Sequence, residues 1–251
     1  MDTQLVIEEY DSFVALGRYR EGGKFLELAA EAARNENDLE ADAIITGELI
    51  GHYRKNGVKT KCLKAIRYAK RLLKSSVTDD GVMVGTLYIN MATGCTHFGY
   101  PNEAIEYFEI AEKYYRENLP VRDKRWSGLY NNSAAAFEAA GDLDRAEEGY
   151  LRALRFTEAI DAAEESAITC INLAGLAGKR EQQQKIDKYL DRALYALSTV
   201  RNPGAYHAYV CRQLAVSFAC CGRNKDEEAL LNKAVAIEEK IAREATRKES
   251  R

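Results

Sequence analysis

Three asparagines and a glutamine, Asn90, Asn132, Asn172 and Gln213, recur at intervals of 42, 40 and 41 residues. A side-chain amide both donates and accepts hydrogen bonds. A row of them at a fixed period can therefore pair with the N–H and C=O groups of an extended polypeptide. The competing reading is structural, because a recurring polar residue on a packed helix also bridges neighbouring helices. Persistence of one residue type through three repeats favours ligand contact. Glu8 and Glu48 take the same position earlier in the chain, so the row is confined to the C-terminal two-thirds. Four residues before or three after it stand Thr86, Thr93 and Tyr209, with Asp11, Ile44 and Ile168.

Other residues capable of chemistry form weaker patterns. The segment GRYREGGK, Gly17 to Lys24, falls short of a phosphate-binding loop: Gly23 stands where lysine belongs, and Phe25 follows Lys24. His52, His97 and His207 are far apart, and no carboxylate or cysteine pattern completes a metal set around them. Cys220 and Cys221 are adjacent rather than spaced as Cys-x-x-Cys. No cofactor, metal or catalytic cluster is expected, and the chain reads as a non-enzyme. The run Lys59 to Lys74 holds no acidic residue, and Lys64, Arg67, Arg71 and Lys74 share a helix face. Such a face could dock an acidic partner or anionic lipid. The plainer reading, preferred here, is a solvated surface balanced by the acidic NENDLEAD segment before it.

The elements that position these residues follow from an internal repeat. Gly17, Gly57, Gly99, Gly141 and Gly222 are 40, 42, 42 and 81 residues apart, and the one missing marker falls at Glu181. Each stands between two apolar-periodic stretches, where a helix ends in a left-handed residue. Twelve residues later comes an alanine every time: Ala29, Ala69, Ala111, Ala153, Ala193 and Ala234. Three residues before each alanine is a large apolar side chain: Leu26, Ile66, Phe108, Tyr150, Leu190 and Leu231. Small and large at that spacing share one face and let a neighbouring helix approach closely. Seven and four residues before each turn are further seam positions, Tyr10 and Phe13 in the first repeat, Ala134 and Phe137 in the fourth.

The segment from Tyr130 to Phe156 resembles a tetratricopeptide repeat (TPR), with Ala134, Phe137, Gly141, Ala146, Tyr150 and Ala153 in place; Tyr88 to Tyr114 is a second good copy. The resemblance runs from about residue 3 to about residue 242. The period of 40 to 42 exceeds the usual 34, as in the long repeats of kinesin light chain and of bacterial peptide-sensing regulators, and the closing proline is missing. The extra residues are expected in the second helix and the loop after it.

The resemblance implies an all-α fold, a right-handed α-solenoid of six helix-turn-helix repeats and about twelve helices. Repeats are expected near 3–42, 43–84, 85–126, 127–166, 167–207 and 208–243, as one domain over 1–243, with a fraying charged tail at 244–251. First helices would line a concave groove. Asparagine at the ladder position contacts the ligand backbone in TPR proteins that bind extended peptides, which implies Asn90, Asn132 and Asn172 as contacts. The residues near the turns do not reproduce the lysine-and-asparagine clamp of chaperone-binding TPR domains.

Composition sets the broad limits. With 46% hydrophobic and 30% charged residues and three prolines in 251, the chain suits long helices. A net charge of −3 offers no global field for nucleic acid. The N-terminus lacks a signal-peptide pattern and no run is long enough to span a bilayer, so a cytoplasmic protein with reduced thiols is expected. The function expected is an adaptor or scaffold that binds a protein or peptide in the groove. A sensor of a small signalling peptide and a self-associating structural array are the alternatives, with the oligomeric state open.

Overall fold

The structure, a computed structural model, describes residues 1–75 and 78–249, with side chains through residue 244. Among the described residues there are twelve helices and no strand. They are α1 (Thr3–Ala15), α2 (Tyr19–Asn35), α3 (Leu39–Lys55), α4 (Lys59–Leu73), α5 (Gly81–His97) and α6 (Pro101–Asn118). Then follow α7 (Arg125–Ala139), α8 (Leu143–Ala159), α9 (Ala163–Lys179), α10 (Gln183–Ser198), α11 (Ala205–Cys220) and α12 (Asn224–Glu249). They follow one another as six consecutive pairs, and the expected repeat starts at 43, 85, 127, 167 and 208 fall inside α3, α5, α7, α9 and α11. The charged tail continues α12 as helix to Glu249; residues 250 and 251 lie outside the described residues.

The turn inside every pair is the same local structure. The five marker glycines have φ between 68° and 86°, and Glu181 takes the same left-handed conformation at φ 57°. The N–H of the next residue donates to the carbonyl five residues back, from Arg18 to Phe13 at 2.8 Å and from Gln182 to Ala177 at 2.9 Å. This bond satisfies a carbonyl that the helix end would otherwise leave open. Asn37 and Asp161, also left-handed at φ 54° and 55°, close α2 and α8 in the same way. Helix starts are fixed by side chains: Asp2, Asp38 and Asp80 accept N–H groups of the first turns of α1, α3 and α5. Pro101 opens α6, where no N–H is needed. The added length is not confined to the second helices: α3, α5 and α9 each span 17 residues, as do α2 and α8.

The chain forms two compact units. One comprises Met1–Asp123 with Ala135–Asp142; the other comprises Lys124–Ala134 with Leu143–Arg251. In the first, α3 packs against α1, α2, α4 and α5, and α5 packs against α4 and α6. In the second, α9 packs against α8, α10 and α11, and α11 against α10 and α12. The first helices α3, α5, α9 and α11 are thus each flanked by helices of their own pair and of an adjacent one. Ala69, Ala111, Ala153, Ala193 and Ala234 are all fully buried. The two ends depart from the expected register. Ala30 rather than Ala29 is buried against Leu26, and Leu230 rather than Leu231 is buried beside Ala234. There the large and small residues are four apart instead of three, which also puts them on one face. Large side chains such as Ile45, Ile50, Met91, Leu173, Leu190 and Phe218 fill the seams, each stabilising by about 1.5–3 kcal/mol.

Candidate functional site

The first helices each leave one stripe uncovered. On α9 the uncovered positions are Ile168, Asn172, Gly175 and Lys179; on α11 they are Tyr209, Gln213, Val216 and Cys220. On α3 the stripe is Ile44, Glu48, Gly51 and Lys55, and the part of α7 in the second unit leaves Gly128 exposed and Asn132 half-exposed. Spacings of three and four residues keep each stripe on one face. The ladder residues Glu48, Asn132, Asn172 and Gln213 all lie at these uncovered positions. Gly51, Gly128 and Gly175 each stand within one turn of a ladder residue, and a Cβ at any of them would meet nothing within 4 Å. Packing therefore does not require glycine there, although a mid-helix glycine costs about 1 kcal/mol relative to alanine.

In the second unit the amides divide into two kinds. Asn172 donates through Nδ2 to Oδ1 of Asn131 at 3.3 Å, across the α7–α9 contact. Asn131, nearly buried, donates in turn to the Thr169 hydroxyl at 2.8 Å and to the Ser127 carbonyl at 3.2 Å. Asn131 is thus the bridging amide, and Asn172 hangs from its outer end while remaining half-exposed. Asn132 and Gln213 have no side-chain hydrogen bond among the described residues. Beside them Tyr206 and Tyr209 stack on α11, with ring centroids 6.1 Å apart and exposures of 45% and 52%. Partial desolvation, then Glu165, pushes the Tyr206 phenol up to about 12, so it remains a neutral donor.

In the first unit Asn90 lies against α3, its Nδ2 3.0 Å from where a Cβ of Gly47 would sit. Its side chain also lacks a hydrogen bond among the described residues. The Thr93 hydroxyl donates to the Asn90 carbonyl at 2.9 Å. Thr86 turns inward: its hydroxyl donates to the Val82 carbonyl and meets the Tyr115 hydroxyl at 2.9 Å, leaving little for a ligand. Glu48 is half-buried, and desolvation raises its carboxyl pKa. Glu8 is exposed and accepts from Gln4 at 2.8 Å.

The remaining candidates are packing features. Gly22 and Gly23 lie buried within α2, where a Cβ on Gly23 would fall 2.3 Å from His52 Nε2. That close approach explains the glycines of the phosphate-loop-like segment. Cys62, Cys95, Cys170 and Cys211 are buried; burial pushes the Cys170 and Cys95 thiols up to about 12, far from thiolate at neutral pH. Among the described residues no group of three or more His, Cys, Asp and Glu side chains could hold a metal ion. No described helix is long and apolar enough to cross a membrane.

Solved structures share this fold. A crystal structure of BtubC (BKLC) from P. vanneervenii matches with a TM-score of 0.63 and 20% identity, over 89% of this chain and 92% of that one. The type IV pilus biogenesis factor PilW matches with a TM-score of 0.58 and 16% identity, over 92% of each chain. TPR-like repeats of a Podospora anserina kinesin light chain match with a TM-score of 0.55 and 16% identity, over 78% of this chain and 94% of that one. The fold is that of a TPR-like array. No family model and no curated protein matches the sequence.

Proposed function

We propose that this chain is a protein-interaction module that, within each of its two units, holds an extended segment of a partner polypeptide on the uncovered stripes of its first helices. In the second unit Asn132, Asn172 and Gln213 pair with the partner's backbone, and Tyr209 with Tyr206 gives an aromatic wall. In the first unit Asn90 plays the same part, with Thr93 beside it. One observation carries the reading: amides at the repeat period occupy the exposed stripe, and those of Asn90, Asn132 and Gln213 have no hydrogen bond of their own. Asn172 keeps one bond to Asn131, which orients it and leaves its carbonyl oxygen free to accept.

The test begins with peptides selected for binding from a displayed random library. Their affinities are then measured for the wild type and for the Asn90→Ala, Asn132→Ala, Asn172→Ala triple variant. Each lost hydrogen bond is worth about 0.5–1.5 kcal/mol, so the triple change weakens binding by about tenfold or more. The helical circular dichroism signal stays the same. Undiminished affinity in a folded triple variant would refute the amide ladder.

A further inference from the structure

On α2, α3 and α4 of the first unit the structure carries a second recessed surface, distinct from the stripes. A cleft of about 620 Å³ is lined by Arg34, Lys61, Lys64, Arg67 and Arg71, against a single carboxylate, Glu27. Its walls are Tyr53 and Tyr68. A second cleft of about 840 Å³ adjoins it through Glu27, Tyr53 and Lys61, and adds Arg20 and Lys24 together with Arg18 and Glu21, which pair with each other at 2.6 Å.

The single carboxylate is already used. Glu27 accepts from Lys61 and from the Tyr53 hydroxyl, each at 2.7 Å, and these bonds hold its carboxyl below the usual range. The tyrosine faces hold the cations in place: Arg34 lies 5.1 Å and Arg71 5.4 Å from the centre of the Tyr68 ring, and Lys61 5.5 Å from that of Tyr53. Behind the lining, the buried carboxylate of Asp42 takes bonds from Arg34 at 3.2 Å and from the Tyr68 hydroxyl and so partly neutralises Arg34. Lys64 and Arg67 are exposed and have no hydrogen-bond or ion-pair partner among the described residues. Four cations of the basic run, Lys61, Lys64, Arg67 and Arg71, thus line a shaped cleft while remaining exposed.

We propose that this cleft docks a short acidic segment of a partner protein, with aspartate or glutamate side chains meeting Lys64, Arg67 and Arg71. From Lys61 to Arg71 the helix rises about 15 Å, the span of four or five extended residues. Longer polyanions fit less well. Helix α6, which brings the Tyr107 ring within 5.5 Å of Lys70, carries Glu103, Glu106, Glu109 and Glu112. A nucleic acid continuing past the cleft would meet those carboxylates. A membrane surface calls for apolar groups to insert beside the cations, and the only aliphatic side chains lining this cleft are Leu49 and Ala65.

Fluorescence anisotropy of labelled hexaglutamate, with hexalysine as control, provides the test. The expected result is saturable binding of hexaglutamate alone that weakens as salt is raised. Lys64→Glu with Arg67→Glu weakens it by about tenfold or more, while Lys64→Arg with Arg67→Lys keeps it. The Asn90, Asn132 and Asn172 alanine variant binds the probe as the wild type does, which separates this cleft from the stripes. Absence of binding, or equal binding by the charge-reversed variant with an unchanged melting curve, would overturn the proposal. So would tighter binding of phosphatidylserine vesicles or duplex RNA through the same two residues.

Discussion

At the scale of single residues, the second unit holds a buried group placed to report on pH. His207 is fully buried, with neither ring nitrogen in a hydrogen bond; Nδ1 stands 3.3 Å from Glu164 Oε1 but outside bonding geometry. Burial, and then Lys233 on α12, lowers its pKa below 6.5. His52, buried and 3.1 Å from the Tyr10 hydroxyl, is lowered by burial as well. The unfolded chain therefore binds protons at these two positions that the folded chain does not. Stability is complete above about pH 7 and falls as pH drops through 6.5. Urea unfolding at pH 8 and pH 5.5 measures the loss, and His207→Phe reduces the difference between the two. An identical difference in that variant would show that His207 does not contribute. The same scale separates Asn131 from Asn132: adjacent in sequence, one is used up inside the unit and the other is left open. The distinction depends on Thr169, 38 residues away, and no local pattern carries it.

At the scale of elements, the helix-turn-helix unit is written in local chemistry. The left-handed turn residue needs no knowledge of the rest of the fold, so the glycines marked it, and the register placed the lost marker at Glu181 correctly. Asn37 and Asp161 take the same conformation unmarked, since Asn and Asp enter it more readily than other side chains do. Glu181 has no such excuse. A left-handed L-residue costs about 1–2 kcal/mol relative to glycine, so Glu181→Gly stabilises the α9–α10 turn. Thermal unfolding is expected to shift upward by a few degrees, at about 2–4 °C per kcal/mol for a chain of this size. An unchanged or lower midpoint would mean that Glu181 makes up the difference through its side chain. The end repeats show the limit of reading elements one by one. Ala29 and Leu231 fit the pattern in sequence, yet Ala30 and Leu230 are the buried residues, because the packed face of a helix is set by the helices it meets and not by the repeat's period.

At the scale of the whole molecule, repetition made the fold legible. The amide stripe was readable because it keeps the repeat's period. Its inward-turned member, Thr86, was not, since Tyr115 on α6 decides its orientation. The basic cleft could not be read as a cleft, because Arg34, Tyr53 and Lys64 come from three helices and only the last lies in the charged run. The central claim concerns the stripes, and side-chain amide resonances test it most directly. In a ¹⁵N correlation spectrum with a selected peptide added, the Asn132, Asn172 and Gln213 NH₂ pairs should shift and the buried Asn131 pair should move least. Shifts confined to residues facing outward on α10 and α12, with the three stripe amides unmoved, would contradict the account.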